Sequence, residues 1–280
     1  MPRSGRRSPR AAEAAVAAGT LASQGSVYVL NIVATRTLGP PAYGELASLL
    51  TLTVIMSIPA MALQSWTART TALEADARSL LPTTLGLSIL SSVATFGLVL
   101  AAAPLLDTDA LPGAASAALL VLPLVWLSTA QGLLQGSERL VALGTVILLS
   151  GVGRLAGGLA GLALDLGPWA VVWGIGVGTL IVAGVAWGAA LSQAPASRHR
   201  ASYWPVLRIA LATGAMWTLA NIDVLLARVT LDPHGSGWYA AGALVTRAVQ
   251  FAPQFVVLSA FASLTDAARS SPCCGWPPSR

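Results

Sequence analysis

The stretch WTLANIDVLLARVTLDPHGSGWYAAGALVTRAVQFAP, Trp217–Pro253, holds two apolar runs joined by a short polar loop. Runs of this length are typical of paired membrane-spanning helices. Three polar side chains interrupt the runs, namely Asn221, Asp223 and Arg247. An ionisable side chain at bilayer depth is costly, so a functional role is the first hypothesis for each of them.

An earlier stretch, LNIVATRTLGPPAYGELASLLTLTVIMSIP at Leu30–Pro59, follows the same order. Both copies have an Asn-Ile pair, an Arg at the end of an apolar run, a Leu-x-Pro and a Tyr that opens the next run. The offset is 228 − 36 = 192 at the Arg pair and 239 − 43 = 196 at the Tyr pair, so the second loop is four residues longer. The repeat predicts two homologous halves, the second incomplete. The matched pairs are Arg36 with Arg228, Leu38 with Leu231, Pro40 with Pro233, Tyr43 with Tyr239, and Pro59 with Pro253.

Composition predicts an integral membrane protein. Hydrophobic residues make up 55% of the 280 residues, charged residues make up 10%, and the mean hydropathy is +0.72. A soluble domain carries about 25% charged residues, which this chain lacks. All 16 basic residues are Arg, and they are scattered between apolar runs, so the net charge of +5 indicates membrane topology rather than nucleic-acid binding. Arg without Lys, together with abundant Ala and Gly, indicates a GC-rich bacterial genome.

Eight apolar windows reach the spanning length of about 20 residues. They predict an all-α polytopic protein with one complete six-helix lobe and the first two helices of a second lobe. The windows are 14–34, 44–64, 84–104, 115–134, 141–163, 169–190, 206–227 and 239–261. The predicted domains are a basic tail at 1–13, a first lobe at 14–191, a linker at 192–205, the start of a second lobe at 206–264, and a tail at 265–280.

The distribution of Arg predicts that both termini are cytoplasmic at a bacterial plasma membrane. With a cytoplasmic N-terminus, twelve Arg lie inside, two (Arg36 and Arg228) lie outside, and Arg154 and Arg247 lie within spans. Such a bias follows the positive-inside rule. Spans five and six carry small residues at a spacing of four, which predicts close helix packing within one bundle or between copies. These are Gly153, Gly157 and Gly161, then Gly174 and Gly178.

Three motifs carry a family resemblance. LGPPAYGELASLL at Leu38–Leu50 resembles the loop after the first span of the oligosaccharide flippases, or polysaccharide biosynthesis proteins. These belong to the multidrug/oligosaccharidyl-lipid/polysaccharide exporter superfamily. GLLQGSERLVALG at Gly132–Gly144 is similar to an inner loop of that family, and NIDVLLAR at Asn221–Arg228 resembles the start of its second lobe.

The resemblance implies two six-helix lobes that alternate access and carry a lipid-linked oligosaccharide to the outer leaflet. The implied partners are membrane lipids, the lipid-linked sugar and polysaccharide assembly enzymes. The chain itself is expected to have no catalytic role. Family members have about twelve spans or more, so the eight predicted here, followed by SSPCCGWPPSR at the end, lead us to expect a truncated or frameshifted gene. A cation-coupled drug exporter of the same superfamily and a non-transporting remnant or subunit are the alternatives.

The polar residues within the spans are the candidate sites. Arg154 suits an anionic pyrophosphate group because its planar fork pairs with phosphate oxygens, although pairing with backbone carbonyls is an alternative. Asp223 and Arg247 lie at similar depths on neighbouring spans and predict an ion pair, with a coupling-ion role for Asp223 and Asn221 as the alternative. No metal or cofactor site is expected, since the two Cys are adjacent. The predicted substrate-binding residues are Arg154, Arg247, Asn31, Gln24 and Gln250.

Overall fold

A computed structural model describes residues 9–72, 80–191, 204–247 and 249 of the chain. These residues are helical apart from short turns, with no strand among them, so the all-α prediction is confirmed. The chain divides into two compact units, Met1–Ala240 and Ala241–Arg280. The helices of the first unit are α1 (Pro9–Met56), α2 (Ile58–Ala72), α3 (Leu81–Leu106), α4 (Ala110–Gly136), α5 (Leu140–Ala163), α6 (Pro168–Leu191) and α7 (Trp204–Thr230).

The predicted count of eight helices is not supported, since seven helices have bounds within the described residues. Near the N-terminus only the bounds differ, because α1 continues through the predicted loop between spans one and two and α2 begins within span two. The eighth predicted span, 239–261, lies largely outside the described residues. Residues 233–240 are also helical, as are residues 241–247 of the second unit. Among the described residues, five helices are long and apolar enough to cross a membrane when α1 and α2 are counted together: Ala12–Ala72, Leu81–Leu106, Ala110–Gly136, Leu140–Ala163 and Pro168–Leu191.

The long first helix folds back on itself at Gly39. Gly39 has φ 73° and ψ 170°, a conformation that glycine adopts without strain, and two prolines follow it. The hydroxyl of Tyr43 donates a hydrogen bond to Asn31 Oδ1 at 3.1 Å, although twelve residues of straight helix would separate their backbones by about 18 Å. Helix α1 is therefore a hairpin with a first arm at 9–38 and a second arm at 40–56.

Helix α2 continues the second arm after a break at Ser57. Pro59 lacks the backbone N–H that would bond one turn back, which accounts for an interruption at this position. Ser57 and Ala60 keep the backbone connected across the break through bonds to Thr53 and Ser57 respectively, each 2.9 Å long. Pro59 thus lies at a break that separates two helices rather than at a bend within one.

The helices of the bundle alternate in direction. The first arm of α1 runs parallel to α5, because Ala15 lies against Gly144 and Leu30 lies against Gly158. Helix α6 runs antiparallel to α5, since Gly153 meets Gly178 while Gly161 meets Ala170. Contacts of Gln64 with Gly132 and Ala68 with Gly136 make α2 parallel to α4. Contacts of Thr84 with Thr129 and Ser92 with Ala118 make α3 antiparallel to α4.

This alternation separates the charged residues of the bundle between its two ends. Arg36, Asp107 and Arg228 lie at one end, which we call the outer end after the predicted topology. Arg69 and Arg139 lie at the opposite, inner end. The Arg139 side chain fastens the α4–α5 turn to α6, because its Nη1 donates to the Ala189 carbonyl at 2.6 Å.

The interior combines apolar side chains with close backbone contacts. Trp126 of α4 and Trp187 of α6 pack edge to face, with ring centroids 6.2 Å apart. Trp187 Nε1 donates to the Trp126 carbonyl at 3.0 Å, and Trp126 Nε1 donates to Ser88 Oγ at 3.2 Å, so the pair links α3, α4 and α6. Both indole N–H groups are thereby satisfied inside the bundle, as burial requires.

Candidate functional site

Arg154 lies in α5, roughly 13 Å along the helix from its outer end at Ala163. It occupies the face turned toward α1, between Gly151, which contacts Ser23, and Gly158, which contacts Leu30. Its Nε is buried and has no hydrogen-bond partner among the described residues. A buried N–H of a cation is costly when unpaired, so this atom is suited to an anionic ligand.

Two of the predicted amides flank Arg154 on the neighbouring helix. Gln24 follows Ser23 and Asn31 follows Leu30, so the two amides bracket the level of Arg154 along α1. Gln24 is exposed, whereas the amide of Asn31 is already engaged. Asn31 Nδ2 donates to the Val27 carbonyl at 2.8 Å, and its Oδ1 accepts from Tyr43. Asn31 therefore braces the α1 hairpin, while Gln24 is open to a ligand.

The second repeat contains the same brace with an acid in place of the amide. The hydroxyl of Tyr239 donates to Asp223 Oδ2 at 3.3 Å. By the offset that relates Arg36 to Arg228, Asn31 corresponds to Asp223 (31 + 192 = 223), and not to the Asn221 of the shared Asn-Ile pair. In each hairpin the Tyr thus bonds a polar side chain that lies five residues before the matched Arg, Arg36 or Arg228.

Asn221 and the remaining predicted residues are placed as follows. Asn221 is buried in α7, and its Nδ2 donates to the Trp217 carbonyl at 2.8 Å. Arg247 is half-buried in the second compact unit, Ala241–Arg280, and its pairing with Asp223 stays a prediction. Gln250 lies outside the described residues.

The outer end of the bundle holds a network around Arg228, which is only 7% exposed. Its Nε donates to the Leu106 carbonyl at 2.8 Å and its Nη2 donates to the Asp107 carbonyl at 3.0 Å. Its Nη1 donates to Ser236 Oγ at 3.1 Å and approaches the Pro41 carbonyl at 3.5 Å. The guanidinium therefore satisfies carbonyls at the C-terminus of α3, where the helix dipole favours a cation.

A polar cavity of about 430 Å³ lies beside this network. The Thr108 hydroxyl donates to Glu45 Oε1 at 2.5 Å and so ties α1 to the α3–α4 turn. Asp107 and Asp109 also line the cavity, so three carboxylates face it. No group of three or more His, Cys, Asp or Glu that could hold a metal ion occurs within the described ranges.

Comparisons with protein-family models, with curated proteins and with solved structures gave no match.

The motif at Gly132–Gly144 has a packing explanation. A methyl group on Gly132 would approach the Gln64 carbonyl of α2 at 2.5 Å, and one on Gly136 would collide with the Ala68 carbonyl. The Arg of the motif, Arg139, binds the end of α6. These residues fix the inner end of the bundle, so the motif marks the fold rather than a ligand site.

Sequence reasoning did not find the Arg228 network or the Glu45–Thr108 bond. In the sequence, Arg228 is only a repeat marker and one of two outer Arg residues. Its place at the end of an apolar run, beside a short loop, was the available signal. The partners come from α3 and from the α1 turn, more than a hundred residues away in the chain, and spacing in the sequence does not reveal them.

Proposed function

We propose that this chain is a membrane transporter of the flippase type, located in a bacterial plasma membrane with both termini cytoplasmic. It would move a lipid-linked oligosaccharide or polysaccharide precursor by alternating access of its two repeats. Five apolar helices of spanning length in the described part of the chain, together with the repeated hairpin, support a transporter assembled from homologous parts. The motifs at Leu38–Leu50 and Asn221–Arg228 support the substrate class by resemblance only.

The observation that carries the proposal is the buried, unpaired Nε of Arg154 within an apolar bundle. A lipid-linked sugar carries a pyrophosphate between its polyprenyl tail and its sugar, and that group must pass the apolar core. A guanidinium binds phosphate oxygens through charge-assisted, often bidentate hydrogen bonds. Gln24, exposed on the adjacent helix, offers an amide for sugar hydroxyls.

The test is translocation of a fluorescent polyprenyl-pyrophosphate oligosaccharide in proteoliposomes. The full chain should move the lipid faster than empty vesicles do. Arg154→Gln should slow this movement by about tenfold or more, because one lost charge-assisted bond in an apolar site corresponds to more than 1.4 kcal/mol. Arg154→Lys keeps the positive charge but loses the planar guanidinium, so its translocation rate should lie between those of the unchanged chain and Arg154→Gln.

Arg36→Gln is the matched control, because Arg36 is exposed at the outer end and its loss should leave the rate unchanged. Rates equal to those of empty vesicles would refute the flippase proposal. Equal loss in Arg36→Gln and Arg154→Gln would refute the assignment of Arg154 to the substrate.

A cation-coupled exporter of the same superfamily is the second candidate, favoured by one observation. Of the two hairpin braces, only the second contains an ionisable acceptor, Asp223, where the first has Asn31. An exporter that depends on this carboxylate should lose proton- or Na⁺-driven drug efflux in Asp223→Asn. A flippase in which Asp223 only braces the hairpin should retain translocation of the lipid-linked sugar in the same variant.

A further inference from the structure

Arg228 joins the two repeats at the outer end. It belongs to α7, at the start of the predicted second lobe, and three of its acceptors are carbonyls of the first lobe, at Pro41, Leu106 and Asp107. The tips of the two hairpins also touch beside it. A methyl group on Gly237 would collide with the Pro40 carbonyl. The contact between the repeats is therefore built from backbone approach as well as from the guanidinium.

The matched Arg side chain is buried only in the second copy of the repeat. Arg36, which corresponds to Arg228, is exposed at the end of the first arm of α1. The neighbouring positions differ in the same way: Ile32 is 48% exposed, while its counterpart Val224 is 4% exposed. The first arm of α1 and α7 therefore pack through opposite faces. Of the two, α7 packs through the face that carries its Arg.

The partners of Arg228 are suited to reversible contact. The Asp107 carboxylate is 82% exposed and lies 3.7 Å away, so the exposed ion pair is weak. The remaining acceptors are neutral backbone carbonyls and the hydroxyl of Ser236. When the repeats separate, water can replace these acceptors and rehydrate the guanidinium, which offsets the lost hydrogen bonds.

We propose that Arg228 is a latch that keeps the outer end of the bundle closed, and that its release exposes the face of α7 below it. This inference rests on the alternating access of the proposed function, in which the outer end must open once in each cycle. Arg228 acts as a positioning residue, because it holds α3 and the α1 turn against α7.

The test measures the labelling of Val224→Cys by a membrane-impermeant maleimide in intact cells, with Cys273→Ser and Cys274→Ser as background. Val224 lies one turn below Arg228 and is buried, so the closed outer end should protect it. Arg228→Gln should raise the labelling rate about tenfold or more. Arg36→Gln, at the equivalent position of the first repeat, should change the rate by less than about twofold.

Equal labelling with and without Arg228→Gln would overturn the latch, as would an equal rise in Arg36→Gln. Asp109→Cys, exposed at the outer end, reports that the reagent reaches this face. If Asp107→Asn raised the labelling rate of Val224→Cys as much as Arg228→Gln does, the assignment of the latch to backbone carbonyls would be overturned.

A disulfide distinguishes opening from unfolding. A Cβ on Gly44 would lie 3.0 Å from Ser236 Oγ, so Gly44→Cys with Ser236→Cys brings two thiols within bonding reach. Oxidation of this pair in the Arg228→Gln background should restore slow labelling at position 224. Fast labelling despite the disulfide would show unfolding and overturn the proposal. No transported substrate enters the measurement, so its failure is distinguishable from failure of the flippase assay.

Discussion

Gly157 of α5 and Gly174 of α6 lie so close that a methyl group on either would collide with the carbonyl oxygen of the other. The same approach occurs one turn away on each side, between Gly153 and Gly178 and between Gly161 and Ala170. In a membrane, where lipid tails are as apolar as the side chains, this backbone packing is a main source of helix association. The small residues at spacing four thus pack within one bundle.

Gly157→Ala should destabilise the chain by about 2 kcal/mol or more, because the backbone carbonyl of Gly174 cannot move aside as a flexible side chain would. The measurement is a denaturant titration in detergent micelles, followed by Trp fluorescence. Gly184→Ala is the matched control on α6, since nothing lies within 4 Å of a Cβ there. Equal destabilisation by both substitutions would contradict the packing argument.

Tyr43→Phe should lower the free energy of unfolding by about 1–2 kcal/mol, because Tyr43 is buried and its loss leaves the half-buried Asn31 Oδ1 without its hydroxyl donor. Tyr239→Phe should cost less, about 0.5 kcal/mol or under, because Tyr239 is 42% exposed and its partner can find another donor. The same titration in micelles compares the two variants. A larger loss of stability from Tyr239→Phe than from Tyr43→Phe would contradict the order expected from burial.

Cysteine accessibility tests the threading of the bundle. Asp109→Cys at the α3–α4 turn and Gln135→Cys near the end of α4 are both exposed, and they lie at opposite ends of one helix. An impermeant maleimide added to intact cells should label the first and spare the second until the membrane is opened. Labelling of both from one side would contradict a membrane-spanning α4.

The ion pair that the sequence predicts between Asp223 and Arg247 can be tested by a double-mutant cycle. Asp223→Ala should cost more stability when Arg247 is present than in an Arg247→Ala background, with a coupling of about 0.5 kcal/mol or more. Tyr239→Phe in the same backgrounds separates the hydroxyl bond from the charge pairing. Additive costs would refute the pair.

Much of the fold could be predicted because the apolar runs are long and uninterrupted. The windows at 141–163 and 169–190 fall almost on α5, Leu140–Ala163, and α6, Pro168–Leu191. The boundaries near the N-terminus could not be predicted as well. The turn at Gly39 needs no polar loop, and Pro59 breaks a run whose hydropathy does not change. Hydropathy measures burial in lipid, and it is insensitive to where a backbone reverses or breaks.

The candidate site could be predicted only in part. Polarity within a span identified Arg154, Asn31 and Asp223, because an apolar background makes such residues conspicuous. Their partners could not be read from spacing: Asn31 bonds to Tyr43 across the hairpin turn, and Asp223 to Tyr239. The role of Arg228 depends on carbonyls of α3 and of the α1 turn, which only tertiary packing brings within reach.

The reversal at Gly39 bears on how the chain enters the bilayer during synthesis. The two arms of α1 are joined without a hydrophilic loop, so the translocation machinery meets them as one hairpin rather than as two separate spans. Until the second arm has emerged, the amide of Asn31 would face lipid without the Tyr43 hydroxyl. A nascent chain arrested between Gly39 and Tyr43 would therefore carry an Asn31 amide oxygen without its hydroxyl donor into the membrane.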